Sequence, residues 1–171
     1  MDFADGSMNV TLRDFTAADI EPCEQWAQAI NVRQYQSRHH PRAFDGEHVL
    51  GDGLRSWFVI VVDGEDVGTV WLEKVRPDDD VAILGIMLGR NDLLGKGIGR
   101  EAIRLAIDRS RCELHYSAVE LSVRKDNPRA ISCYRRCGFA IRGEGVKRTD
   151  DGQDVPFYSM VKHLKPTPGE A

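Results

Sequence analysis

The feature that most constrains this chain is a glycine-rich turn, Leu94-Gly95-Lys96-Gly97-Ile98-Gly99, between two apolar-patterned segments. The segment before it, Val81-Ala82-Ile83-Leu84-Gly85-Ile86-Met87-Leu88, reads as a strand. After it, residues 100–108 carry apolar positions at helical spacing. The order is therefore strand, turn, helix. Glycines let backbone approach a ligand closely, and a helix N-terminus offers unpaired N–H groups and a positive dipole end. Such a turn suits an anion, a phosphate or pyrophosphate, and Lys96 and Arg100 add positive charge beside it. Taken alone, the motif is equally consistent with a simple reversal of the chain. A P-loop is excluded by spacing, and the third glycine comes one residue too early for a dinucleotide turn. Glu120 lies near the distance expected of a ribose-binding acid, which keeps a nucleotide-dependent oxidoreductase open on this motif alone.

A chain of 171 residues, 42% apolar and 29% charged, can bury one sizeable core and is not composed like a disordered segment. Its net charge of −4 argues against a general nucleic-acid binder and suits a cationic acceptor. Cys23, Cys112, Cys133 and Cys137 form no C-x-x-C pair and no zinc-type spacing, so buried, inert thiols in a reducing compartment are expected. With no signal-peptide pattern and no apolar run long enough to span a membrane, the chain reads as cytoplasmic, without a membrane partner.

Residues 1–7 read as a disordered leader and 166–171 as a disordered tail, leaving one domain over 8–165. A strand over 9–15 precedes a helix capped by Thr16 and running to about Ile30. The polar segment 31–53, with Tyr35, His39, His40, Phe44 and His48, is expected to be a long loop, partly a short helix, lining a substrate. The His39-His40 pair brings metal to mind, but no carboxylate or cysteine set completes a site in sequence, so no metal is expected. Residues 57–62 and 67–75 read as a hairpin turning at Asp63-Gly64, and 119–123 as a further strand. The final hairpin turns at residues 150–152 and closes with a strand over 156–161.

The most informative stretch is Asn127-Pro128-Arg129-Ala130-Ile131-Ser132-Cys133-Tyr134-Arg135-Arg136-Cys137-Gly138-Phe139. Asn127 is a good N-cap, Pro128 takes the first helical position, and Gly138 stops the helix. Strand, glycine turn and helix, followed by a strand and N-P-R-A-I-x-x-Y-x-x-x-G-F, resembles the GNAT superfamily of acetyl-CoA-dependent N-acetyltransferases over nearly the whole chain.

The resemblance implies an α/β fold: a central twisted mixed sheet of about six to seven strands flanked by helices. It implies acetyl-CoA as co-substrate, lying where two central strands splay apart. By matching position, Leu94, Gly95, Lys96, Gly97, Ile98, Gly99 and Arg100 would hold the pyrophosphate. The backbone of Ile86, Met87 and Leu88 would pair with the pantetheine, and Asn127 would hold the cofactor near the splay. Tyr134 would touch the cofactor and act as the general acid that protonates the departing thiolate. The family usually has Arg or Gln where this chain has Leu94, and relatives with a carboxylate base often carry Glu near Ile83, where this chain has no acid. The base is therefore unassigned, with Glu73 on the preceding strand a distant candidate better read as a salt-bridge residue. A covalent route through Cys133 lacks a neighbouring His or Lys in sequence. The implied reaction is direct acetyl transfer to a primary amine: a protein N-terminus, an aminoglycoside, a polyamine or an amino acid. A site without a strong base suits an α-amine near pKa 8 better than an alkyl amine near 10.4, or works through ordered water. N-termini and aminoglycosides come first among the acceptors the resemblance covers, but nothing in the sequence chooses between them. The rival reading is a catalytically silent acyl-CoA-binding sensor. Edge strands in such folds leave room for a homodimer.

Overall fold

A computed structural model describes residues 6–30 and 39–167. Seven strands form one sheet: β1 (Val10–Asp14), β4 (Arg55–Val62), β5 (Glu65–Glu73), β6 (Val81–Leu88), β7 (Ala118–Arg124), β8 (Ala140–Arg148) and β9 (Asp154–His163). Their order across the sheet is β1-β4-β5-β6-β7-β9-β8, and every neighbour is antiparallel except β6 with β7. Helix α1 (Ile20–Ala29) lies on one face, and α2 (Ile98–Leu114) and α3 (Pro128–Arg136) on the other. Two short strands, β2 (Phe44–Asp45) and β3 (His48–Val49), pair with each other apart from the sheet. The mixed sheet flanked by helices is the expected architecture.

The central strands are apolar on both sides because both sides are covered. Phe58, Ile60, Val62, Val70, Leu72, Ala82 and Leu84 pack towards α2, with Ala102, Ile103 and Ala106 of that helix. Trp57, Val59, Trp71 and Met87 alternate with them and pack towards α1, against Phe15, Cys23 and Ala27. Trp57 and Trp71 are directly opposed on β4 and β5 and stack at 4.2 Å with 2° between their planes. Gly85 follows Trp71 in register on β6, and a Cβ there would stand 2.1 Å from the Trp71 ring. That glycine is a packing requirement of the tryptophan pair.

Helix α2 runs past the apolar spacing read over residues 100–108. Its buried stripe continues through Ser110, whose hydroxyl lies 2.7 Å from that of Tyr116, to Leu114. Lys74, buried after β5, then donates to the carbonyls of Pro77, Leu114 and His115 at 2.8, 2.9 and 3.2 Å. An ammonium at the helix C-terminus satisfies the orphan carbonyl and the negative dipole end together.

On the opposite face, Thr16 opens a 3-10 turn (Ala17–Asp19) that leads into α1. Buried Asp19 accepts from the Thr16 N–H at 2.8 Å and takes Arg13 through both oxygens at 2.9 and 2.7 Å. The described part of segment 31–53 contains the β2–β3 hairpin, and residues 31–38 lie outside the described residues. Thr16 bridges to His48, and Phe44 and Val49 pack on the α1-side core, which explains why extended backbone wins there. Tyr35 lies outside the described residues. Among the described residues no helix is long and apolar enough to cross a membrane.

Candidate active site

The parallel ladder between β6 and β7 covers only Val81–Ile83 against Ala118–Glu120. Beyond Ile83, β6 continues to Leu88 and β7 to Arg124 without pairing to each other, while β7 stays paired to β9 throughout. Ile86, Met87 and Leu88 lie on this diverging part of β6, held by β5 on their other side. A cleft thus opens at the carboxyl ends of two parallel strands.

The glycine loop closes one end of the cleft. Leu94 ends a 3-10 turn (Asn91–Leu93) in extended conformation, and Gly95 and Gly97 both take positive φ, 76° and 81°. Only glycine adopts that conformation without strain. Gly97 is the N-cap of α2, and no side chain caps the helix. The first N–H groups of α2, from Ile98, Gly99 and Arg100, therefore point outward as donors at the positive end of the dipole. Gly99 is not forced by its backbone: a Cβ there would make ordinary contacts with Cys133 Sγ at 3.6 Å and Ile86 at 3.8 Å, which puts the start of α2 beside α3 and β6. Alongside, a cleft of about 540 Å³ is lined by Gly97, Arg100, Glu101, Arg104, Arg136, Cys137 and Lys162. Its charge is net positive, as a phosphate-bearing ligand requires.

Helix α3 carries the rest of the motif. Asn127 caps it, its side-chain oxygen accepting from Ala130 N–H at 3.3 Å, which leaves the amide nitrogen as the group available to a ligand. Tyr134 packs edge-on against Phe139 at 6.1 Å and against the α2-side core. Burial pushes its hydroxyl well above the ordinary phenol range, so the group stays protonated. Cys133 faces the glycine loop, and a hydrogen bond from Cys137, with Arg136 and Arg100 nearby, lowers it below the ordinary thiol range against the cost of burial. Of these cations, Arg136 lies one helical turn along α3, and only Arg100 is brought to Cys133 from another element by the fold.

The α1-side face supplies the other wall. Ile83, the position without an acid, is 46% exposed and stands in register with Glu73 on β5 and Glu120 on β7. Directly opposed residues share a face, so two carboxylates flank Ile83. Glu73 accepts from Trp57 Nε1 at 2.8 Å, and Glu120 is bonded to Arg142. Glu73 is thereby fixed beside the tryptophan pair.

Residues 9–140 match the family model of the GNAT acetyltransferase domain. The chain is a GNAT acetyltransferase. It is 34% identical over 142 residues to the spermidine N(1)-acetyltransferase of Escherichia coli K12, covering 80% of this chain and 75% of the relative. It is 23% identical over 167 residues to an aminoglycoside N(6')-acetyltransferase of Klebsiella pneumoniae, covering 86% and 81%. Among solved structures, the Vibrio cholerae spermidine N-acetyltransferase in complex with CoA and spermine superposes with a TM-score of 0.74 at 23% identity, covering 91% and 95%. As a member of this family the enzyme transfers acetyl groups from acetyl-CoA to amines.

In this acetyltransferase the sequence-predicted residues fall on three elements: 86–88 on the diverging strand, 94–100 at the loop and the start of α2, and Asn127 and Tyr134 at the N-cap and within α3, with Gly99 bringing the loop beside Ile86 and Cys133 of α3. Sequence reasoning missed the flanking of Ile83 by Glu73 and Glu120, which only strand register reveals. It also placed the His39-His40 pair on a surface loop. His39 is instead buried, and Glu24 of α1 approaches both rings.

Proposed function

We propose that this acetyltransferase acetylates a primary amine of a polycationic alkyl amine, a polyamine, with Tyr134 as general acid. The observation that carries the reading is the position of Ile83. It lies where β6 leaves β7 and has a carboxylate on each side and stacked tryptophans beyond. Carboxylates and indole faces both attract ammonium groups, and a polyamine presents several at once. The 34% identity to a protein named spermidine N(1)-acetyltransferase supports the same class.

In this reading acetyl-CoA lies in the cleft between β6 and β7. Its pyrophosphate accepts from the N–H groups at the start of α2 and in the loop 95–99, with Lys96 and Arg100 adding charge. The pantetheine amides pair with backbone of Ile86, Met87 and Leu88 as an added strand would, and Asn127 Nδ2 donates nearby. The neutral amine attacks the thioester carbonyl, a C–N bond forms and the C–S bond breaks. The thiolate takes the Tyr134 proton, and the proton lost by the amine restores the phenol through water. An alkyl ammonium near pKa 10.4 must first lose a proton. Glu73 and Glu120, one strand to either side, hold the neighbouring charges and orient the water that removes it, in place of an acid at Ile83.

The test is a panel of spermidine, kanamycin and a peptide with a free N-terminus, followed by CoA release. Spermidine is expected to give the highest kcat/KM. A peptide or aminoglycoside preferred by tenfold would overturn the polyamine assignment, and no turnover of any amine would overturn catalysis.

A further inference from the structure

A cluster of metal-type ligands lies away from the residues assigned to acetyl transfer, beside α1. Glu24 projects from α1, and its Oε2 stands 3.1 Å from His39 Nε2 while its Oε1 stands 3.1 Å from His40 Nε2. The two imidazoles are edge-to-face at 5.4 Å, and the donor atoms of all three residues lie within 4.8 Å of one another.

The hydrogen bonding around the rings decides what belongs between them. His40 Nδ1 lies 2.9 Å from the carbonyl of Pro41. A carbonyl only accepts, so Nδ1 carries a proton and Nε2 is the ring atom turned towards the carboxylate. A ring N–H donated to a backbone carbonyl is also how metal-bound histidines are held. His39 is 8% exposed, and neither of its ring nitrogens has a hydrogen-bond partner among the described residues, although Nε2 faces Glu24. Each imidazole thus turns its Nε2 towards one carboxylate, an arrangement held together either by a proton on each nitrogen or by a cation shared among the three groups. The backbone is fixed to match, because Cys23 Sγ donates to the His39 carbonyl at 2.8 Å, joining α1 to this segment beside the cluster.

We propose that Glu24, His39 and His40 form a binding site for a zinc ion, with water completing the coordination. Two imidazoles and one carboxylate are a borderline donor set that suits Zn²⁺ over Ca²⁺ or Mg²⁺. Ligands about 2.0–2.1 Å from a tetrahedral zinc stand roughly 3.4 Å apart. The two 3.1 Å separations are close to that spacing, and small side-chain rotations bring the remaining pair inward. Glu24 and His40 are 35% and 28% exposed at their side chains, so an ion has a path in. The bound ion fastens α1 to the chain leading into β2 and takes no part in acetyl transfer.

The experiment titrates tag-free full-length protein with ZnCl₂, and separately with CoCl₂, read by calorimetry and visible absorption. One equivalent is expected to bind, with cobalt giving the intense visible bands of a four-coordinate site. Glu24→Gln and His40→Gln should each weaken zinc affinity by about tenfold or more, and zinc should raise the Tm of the parent but not of the double variant. Cys133→Ser with Cys137→Ser should leave zinc affinity unchanged. Absence of stoichiometric uptake at micromolar zinc would overturn the site. So would affinity that survives Glu24→Gln and His40→Gln, or that disappears with the cysteines. The variants change half-exposed side chains, and their Tm without metal checks that they fold.

Discussion

The two faces of the sheet are built in different ways. On the α2 side, strand, glycine loop, helix and the capped α3 are contributed by two stretches of chain, 81–108 and 127–139, each with its chemistry written locally. On the α1 side, the wall is assembled from single residues far apart: Trp57, Trp71, Glu73, Ile83 and Glu120 come from four strands. Anchoring differs too. The α2 side rests on a broad apolar core, whereas the start of α1 depends on the buried Asp19 held by Arg13. The co-substrate is common to a family and its side can be encoded in contiguous motifs. In the proposed reading the acceptor meets the α1 side, where strand register rather than a contiguous motif sets the lining.

Mutations on either side should separate these roles. The largest effect is expected from Tyr134→Phe, which keeps the ring against Phe139 and removes the donor. Loss of a general acid lowers rate by roughly 10² to 10⁴, so kcat should fall about a hundredfold with acetyl-CoA affinity retained by calorimetry. Because burial raises the phenol, its protonated form persists throughout neutral and mildly alkaline conditions. The ratio of the two kcat values should therefore stay constant from about pH 7 to pH 9; a ratio that collapses over that range would sink the assignment.

Next in size is Gly97→Val. It forces an L side chain into φ 81° at the N-cap of α2, a strain of about 1–2 kcal/mol, and it obstructs ligand approach to the loop. Acetyl-CoA should bind at least about tenfold more weakly, and unchanged affinity with an intact fold would remove the pyrophosphate from the loop. Glu73→Gln is milder. It preserves an acceptor for Trp57 Nε1 while removing one charge, so KM for spermidine should rise about fivefold, with acetyl-CoA affinity unaltered. Equal losses for both substrates would dissolve the division between the two faces.

The smallest effect concerns stability. Burial opposes ionisation of Asp19, but bonds from Arg13 and Thr16 outweigh it and hold the carboxyl below its ordinary range. A group depressed on folding stabilises above its unfolded pKa, and that stabilisation is lost as pH falls through the lowered value. Asp19→Asn should cost about 1 kcal/mol near neutral pH, and the deficit relative to the parent should shrink below about pH 4, as followed by thermal melts. A deficit independent of pH would assign the loss to packing.

The contrast between faces also explains what could be read from the chain. Both ends of α3 were legible because Asn127, Pro128 and Gly138 act on neighbours within a turn. The glycine loop was legible because positive φ demands particular residues. The apolar spacing read over residues 100–108 covers only part of α2, since beyond it a buried serine satisfied by Tyr116 looks polar in sequence. The β2–β3 hairpin was missed because its conformation comes from contact with Thr16 and the α1-side core rather than from its own pattern. Glu24 gives no sign of His39 and His40 until α1 folds back beside them.

The strand order β7-β9-β8 has a consequence for how the enzyme comes into being. Strand β9, near the end of the described chain, lies between β7 and β8 and contributes the fully buried Met160. Its Lys162 donates to the Cys137 carbonyl at 2.6 Å, so the C-terminus of α3 is also completed from β9. During synthesis from the N-terminus, β1, α1 and the hairpins of β4, β5 and β6 can assemble while β7 still has a raw edge. The helix bearing Tyr134 gains its last support only when β9 inserts. A chain stopped before residue 154 therefore has a sheet that ends at β7, with five of its seven strands in place and the C-terminus of α3 without its partner on β9.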